Sequence, residues 1–275
     1  MTRTKVTTVK KRLAPKRVEI DGEPFWVAEG DLLLDQDQLD EYARQQEMLA
    51  RQRELRQEAT ALGMAPAPET MRAELVAVVS EGRLVRWRDG KTLAYCVLRN
   101  TFASASEYRV AAKSMAEATA AWERTCGVQF EYRKSLDTSP TTRVEGVTFT
   151  VRKVDAGGRF IAAAFFPTDP VDRRRVLIDP SFFAKRIGFD RVGILRHELG
   201  HVLGFRHEHI RSEAPAACPD EDLGADLPLG AYDPKSVMHY FCGGVGSREL
   251  LISEIDVAGA QRMYGLPLSE YLFID

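Results

Sequence analysis

The sequence predicts an α+β fold, and three observations carry that prediction. Apolar residues alternate with polar ones at 128–132 and 147–151, the period of a strand with one buried face, and 93–98 is strand-like as well. Compact apolar runs at 161–166 and 176–178 read as further strands. Helical spacing appears instead over 104–125, where Ala111, Met115, Ala118 and Trp122 fall on one face, and again after Asp190, where Val192, Leu195, Leu199 and Val202 recur.

Upstream, residues 18–34 read as short strands about an Asp21-Gly22 turn, anchored by Phe25 and Trp26. A long polar helix is predicted over 36–61 with a thin apolar stripe of Leu39, Tyr42 and Leu49, which fits a solvated helix lying over another surface. Ala65-Pro66-Ala67-Pro68 then breaks it and reads as a linker. The domain boundary is placed between 63 and 86, giving a leading segment 1–83 and a main domain 84–275. Asp190 is a candidate cap for the helix that follows it. Ser253-Glu254-Ile255-Asp256 is a capping box that opens a final helix reaching Tyr264.

The chemistry concentrates in His197-Glu198-Leu199-Gly200-His201-Val202-Leu203-Gly204-Phe205-Arg206-His207, an H-E-x-x-H-x-x-G-x-x-H pattern. Positions i and i+4 share a helix face, so His197 and His201 can present two imidazole nitrogens to one ion. Gly204 tolerates the left-handed backbone that would turn the chain back and deliver His207 as third ligand. Three neutral imidazoles leave a fourth position on a zinc ion, the mark of a catalytic site, and Glu198 falls beside the metal where it can take a proton from water. An ordinary buried helix would explain the leucines but not the histidines. All five histidines lie between 197 and 239, with none before.

The long motif ending His207-Glu208-His209, followed by Ser236-Val237-Met238-His239-Tyr240, resembles the astacin family of metzincin zinc endopeptidases, over about residues 84–265. The run Ile161-Ala162-Ala163-Ala164-Phe165-Phe166-Pro167 is more similar to the matrixin edge strand. The resemblance implies a metzincin-type catalytic domain: a mixed five-stranded sheet with two helices, one bearing the zinc ligands, over an irregular lower lobe that ends in a helix. It implies one catalytic zinc on His197, His201 and His207, with Glu198 as general base and Met238 as the floor of the site. Tyr240 would swing away from the metal to stabilise an oxyanion, and Glu208 would pair with a new amino terminus after activation. Ala162, Ala163, Ala164 and Phe165 would form the edge that takes an extended peptide substrate as an added strand.

The resemblance also implies that segment 1–83, partly helical, is an intramolecular inhibitor and the protein a zymogen. Glu29-Gly30-Asp31 is similar to the family's F-x-G-D aspartate switch, with Ala28 where the family has Phe, so Asp31 is the candidate zinc-blocking carboxylate. An ordinary Gly-Asp turn is the alternative. An even count of four cysteines in a chain that resembles a mostly extracellular family makes Cys96 with Cys126 and Cys218 with Cys242 the expected disulfides, while the residues themselves allow three connectivities or four free thiols. His209 and His239 read as structural or solvated, and Arg211 matches an arginine of the astacin extension although Ser212-Glu213-Ala214-Pro215 departs from it. The acidic stretch 219–226 reads as solvated, without the ordered spacing of a calcium loop.

Composition sets the outer bounds. With 275 residues and 44% hydrophobic content the chain can bury a sizeable core. A net charge of −2 and a pI near 6.3 argue against nucleic acid or anionic membrane as partners, and no apolar run has the length of a membrane span. Residues 1–16 are basic and threonine-rich and lack the apolar core of a secretory leader, while the resemblance implies a secreted monomer. Two other readings stay open: a zinc-loaded binding protein that never cleaves, and a matrixin-like rather than astacin-like enzyme.

Overall fold

The computed structural model describes residues 14–40, 42–44, 75–80, 83–211, 213–218, 226–228 and 231–272. Most of the expected polar helix and the whole Pro/Ala linker lie outside them, although residues 36–40 and 42–44 are helical. Strands β1 (Lys16–Ile20), β2 (Glu23–Ala28) and β3 (Leu32–Leu34) form an antiparallel meander. Asp21 and Gly22 turn the first hairpin with both φ positive, at 56° and 79°, as two-residue hairpin loops require.

The main sheet has five strands in the order β7-β6-β8-β10-β9. β6 (Thr92–Val97), β7 (Gln129–Tyr132), β8 (Phe149–Lys153) and β10 (Arg175–Ile178) run parallel; the short edge strand β9 (Ala162–Ala163) pairs antiparallel with β10. Both predicted helices pack against this sheet. Helix α1 (Ala105–Thr125) is capped by Ser104, and its stripe of Ala111, Met115, Ala118 and Trp122 is wholly buried. Trp122 Nε1 donates to Arg196 O at 2.9 Å, joining α1 to helix α2 (Arg191–Val202). Asp190 caps α2 by accepting from Gly193 N at 2.7 Å.

The lower lobe is irregular and ends in α3 (Glu254–Tyr264), whose capping box forms as its sequence requires. A small sheet that the sequence did not announce joins β4 (Val76–Ser80) to β5 (Arg83–Leu84) and β11 (Asp226–Pro228). β4 is also stitched to the zinc-motif turn, since Val78 N donates to Gly204 O and Arg206 N to Val76 O.

Cys218 and Cys242 form a disulfide. The expected Cys96–Cys126 bond is absent: Cys96 is buried in central strand β6, and Cys126 ends α1 with its thiol directed at Trp122 O. Burial pushes both thiols up to about 12. Among the described residues no helix is long and apolar enough to cross a membrane.

Candidate metal centre

Helix α2 carries His197, Glu198 and His201 into the cleft beneath edge strand β9. The helix ends at Gly204, whose φ of +92° returns the chain so that His207 faces the other two histidines. His197 Nε2 and His207 Nε2 lie 3.2 Å apart, and His201 Nε2 and His207 Nε2 lie 3.1 Å apart. Each ring is oriented from behind: His197 Nδ1 donates to Val237 O at 2.8 Å, and His201 Nδ1 to Phe205 O at 2.9 Å. His207 Nδ1 lies 3.1 Å from Glu29 Oε2. With protons on the Nδ1 atoms, three Nε2 lone pairs point at one another.

Asp31 enters the same space from the leading segment. Its Oδ2 lies 3.2 Å from His197 Nε2, and its Oδ1 lies 3.2 Å from His207 Nε2 and 3.7 Å from His201 Nε2. These four residues are buried and are the group among the described residues that could hold a metal ion. The arrangement fits zinc. Lone pairs at this spacing repel unless a cation lies between them, and the edge of a tetrahedron with zinc–nitrogen bonds of about 2.0–2.1 Å is roughly 3.4 Å. Asp31 Oδ1 is buried with no hydrogen-bond donor, as a ligand oxygen would be.

Glu198 sits beside this cluster rather than in it, and its Oε2 is buried without a partner. Burial, and then the Asp31 charge, raise its carboxyl well above the usual range. Tyr240 stacks on His209 at a centroid distance of 4.3 Å and lies tilted against His207 at 4.6 Å. Its hydroxyl donates to the Glu29 backbone carbonyl at 2.6 Å.

Met238 lies under the histidines against Gly200, where any Cβ would come within 2.3 Å of its Sδ. The turn that holds it is fixed by buried Asp256, which accepts from Ser236 Oγ at 2.6 Å and Val237 N at 2.7 Å. Glu208 accepts from Asp233 N at 2.9 Å and lies 3.4 Å from Arg211 Nη1, while its Oε2 is buried without a partner. His209 and His239 are buried rather than solvated, the latter between Tyr232 Oη and Tyr240 O.

Sequence reasoning missed three contributors. Glu29, wholly buried, bridges Arg206 Nη2 at 2.7 Å and His207 Nδ1, so the leading segment grips the third histidine from behind. Gly30, at φ +91°, leaves room for the Tyr240 hydroxyl, which a Cβ would approach to 2.9 Å. Asp256 looked like a helix-capping residue alone. Of these, only Gly30 had a visible signal, in the turn-forming Gly30-Asp31 pair.

A family model for matrixin, Peptidase M10, matches residues 86–215, the stretch that contains α2 and all three converging histidines. That stretch matches a metzincin peptidase family. Two curated relatives of the chain are the dorsal-ventral patterning protein tolloid of Drosophila melanogaster, 36% identical over 70 residues, and zinc metalloproteinase nas-2 of Caenorhabditis elegans, 39% identical over 57 residues. Each match covers 18% of this chain, and it spans only 6% of the tolloid protein and 20% of nas-2. Among solved structures, myroilysin is similar at 17% identity and a TM-score of 0.46, covering 68% of this chain and 98% of that one.

Proposed function

We propose that the protein is a zinc-dependent endopeptidase kept latent by its own segment 1–83. The observation that carries this reading is the unpartnered Glu198 Oε2 beside three convergent Nε2 atoms, with Asp31 in the remaining space. His197, His201 and His207 would hold the ion. When bound, zinc supplies Lewis acidity toward the scissile carbonyl and lowers the pKa of a water to about 7. Glu198 accepts the proton of the attacking water and returns it to the leaving amine, a service worth about 10²–10⁴-fold. Tyr240, once released from Glu29 O, donates a hydrogen bond to the carbonyl oxygen as negative charge develops there. The outer edge at Ala162, Ala163, Ala164 and Phe165 binds an extended substrate through backbone pairing.

Latency follows from the same contacts. Asp31 occupies the reaction space, Leu32 bridges Ala164 on the substrate edge, and Glu29 O holds Tyr240. Because β4 pairs with β11 and with the zinc-motif turn, it would stay with the catalytic domain, so activating cleavage belongs before Leu75, at 63–74, and the part of segment 1–83 that leaves ends there. Glu208 then has one open carboxylate oxygen for the new amine. Secretion as a monomer is part of this proposal, supported by the Cys218–Cys242 disulfide.

The test is casein hydrolysis by the full chain before and after nicking at 63–74. Chelator-sensitive cleavage that appears on nicking and vanishes in Glu198→Gln supports the proposal. A nicked, zinc-loaded protein that has shed its segment and cleaves nothing would make it a binding protein.

A further inference from the structure

The acidic tip of the β1–β2 hairpin lies in an arginine-lined cavity that the zinc chemistry does not use. Asp21 forms a two-pronged ion pair with Arg152, whose Nη1 is 3.0 Å from Oδ1 and whose Nη2 meets Oδ2. Glu23 accepts from Arg173 Nη1 at 2.7 Å, and Asp35 lies 3.9 Å from Arg173 Nε. Phe25 is flanked by two guanidinium groups, with Arg173 at 5.0 Å and Arg175 at 4.8 Å from its ring centre. The adjoining cavity has a volume of about 700 Å³, and Arg143 and Arg174 also line it. On the catalytic-domain side its acids are Glu145 and Asp172 alone, against five arginines.

Arginines set this close repel one another. Burial first, and then the charges of Arg152 and Arg173, lower Arg175 to about 10. The cluster therefore requires counter-charge, and in the latent chain the segment that activation removes supplies Asp21, Glu23 and Asp35 to it. Asp31 follows Glu23 by eight positions, along β2 and the turn after it, so one stretch of chain fills cavity and cleft together.

We propose that this cavity is a substrate exosite for peptide segments bearing two carboxylates followed by an aromatic residue, and that Asp21-Gly22-Glu23-Pro24-Phe25 occupies it as an internal mimic. Acidic charge pairs with Arg152 and Arg173, and the ring enters the space between Arg173 and Arg175. The site would select among proteins that the unselective backbone edge at β9 treats alike. The substrate part rests on the peptidase reading; the binding part does not.

Two measurements separate them. The first uses full-length Glu198→Gln protein, nicked at 63–74 and freed of its segment under the conditions in which the wild type sheds it. Fluorescence anisotropy is read with a labelled peptide of residues 18–27 and with its Asp→Asn, Glu→Gln isostere. The acidic peptide is expected to bind at least about tenfold tighter, with the difference collapsing in high salt and in Arg173→Gln. Equal binding of the two peptides, or binding of neither, overturns the exosite. The second compares wild-type cleavage of substrates carrying or lacking this acidic-aromatic segment about eight residues from the scissile bond. The segment should lower KM with kcat unchanged, and an unchanged KM refutes the substrate role. If the acidic peptide binds but no substrate is cleaved, the peptidase reading fails and the binding site stands.

Discussion

Replacing Gly30 with Ala should open the latent chain without any cleavage. Gly30 has φ +91°, and a Cβ there would come within 2.9 Å of the Tyr240 hydroxyl and 3.1 Å of its ring. A left-handed backbone costs a side-chain-bearing residue about 1–2 kcal/mol. Displacing Tyr240 breaks its bond to Glu29 O, a further loss of about 0.5–1.5 kcal/mol. The latched state is thus weakened by about 1.5–3.5 kcal/mol relative to an open one, which raises the open population roughly 10–300-fold. The assay is hydrolysis of a quenched fluorescent peptide by uncleaved protein, with intact mass checked by mass spectrometry. Gly22→Ala is the control: it carries the same kind of strain at φ +79°, but nothing lies within 4 Å of its Cβ. With the strain common to both, the reasoning predicts a rise for Gly30→Ala that exceeds that for Gly22→Ala by the Tyr240 share, roughly 2–10-fold. Equal effects, or a folded Gly30→Ala protein as latent as wild type, would refute the steric coupling of Gly30 to Tyr240.

Asp31→Ala should likewise raise the activity of the uncleaved chain, whereas an ordinary turn aspartate would leave latency unchanged. In the activated enzyme, Tyr240→Phe should lower kcat about 10²–10³-fold while zinc content holds, the loss typical of one oxyanion donor; an unaffected kcat favours the matrixin-like alternative. A strong chelator should abolish hydrolysis and stoichiometric zinc should restore it, as read by the same peptide assay. At pH 8 the native protein should resist thiol reagents, because burial keeps Cys96 and Cys126 protonated, and denaturation should release two reactive thiols. The linked stability has a definite sign. Above about pH 8.5 the unfolded thiols ionise while the folded ones do not, so these groups make Tm fall as pH rises toward 12.

The histidine triad was legible because its ligands are local: i, i+4 spacing and one glycine turn fix their convergence whatever the rest of the chain does. The strands and helices of the main domain were legible through the alternation at Phe149 and Val151 and through the stripe from Ala111 to Trp122. The pairing of β4 with β11 was not, because it joins residues about 150 apart across the acidic stretch. The cysteines divided for a similar reason. Sequence shows four thiols but not that β6 and the end of α1 bury two of them in separate settings. Glu29 was missed because its partners, Arg206 and His207, lie 177 and 178 residues away.

Zinc K-edge absorption of the purified full-length chain tests most directly whether three histidines and Asp31 share one ion. The account predicts one zinc per chain with three imidazole scatterers at about 2.0–2.1 Å and an oxygen donor in the remaining position. It also predicts a changed edge in Asp31→Ala. Protein that contains no zinc, or zinc with fewer than three imidazoles around it, would contradict it.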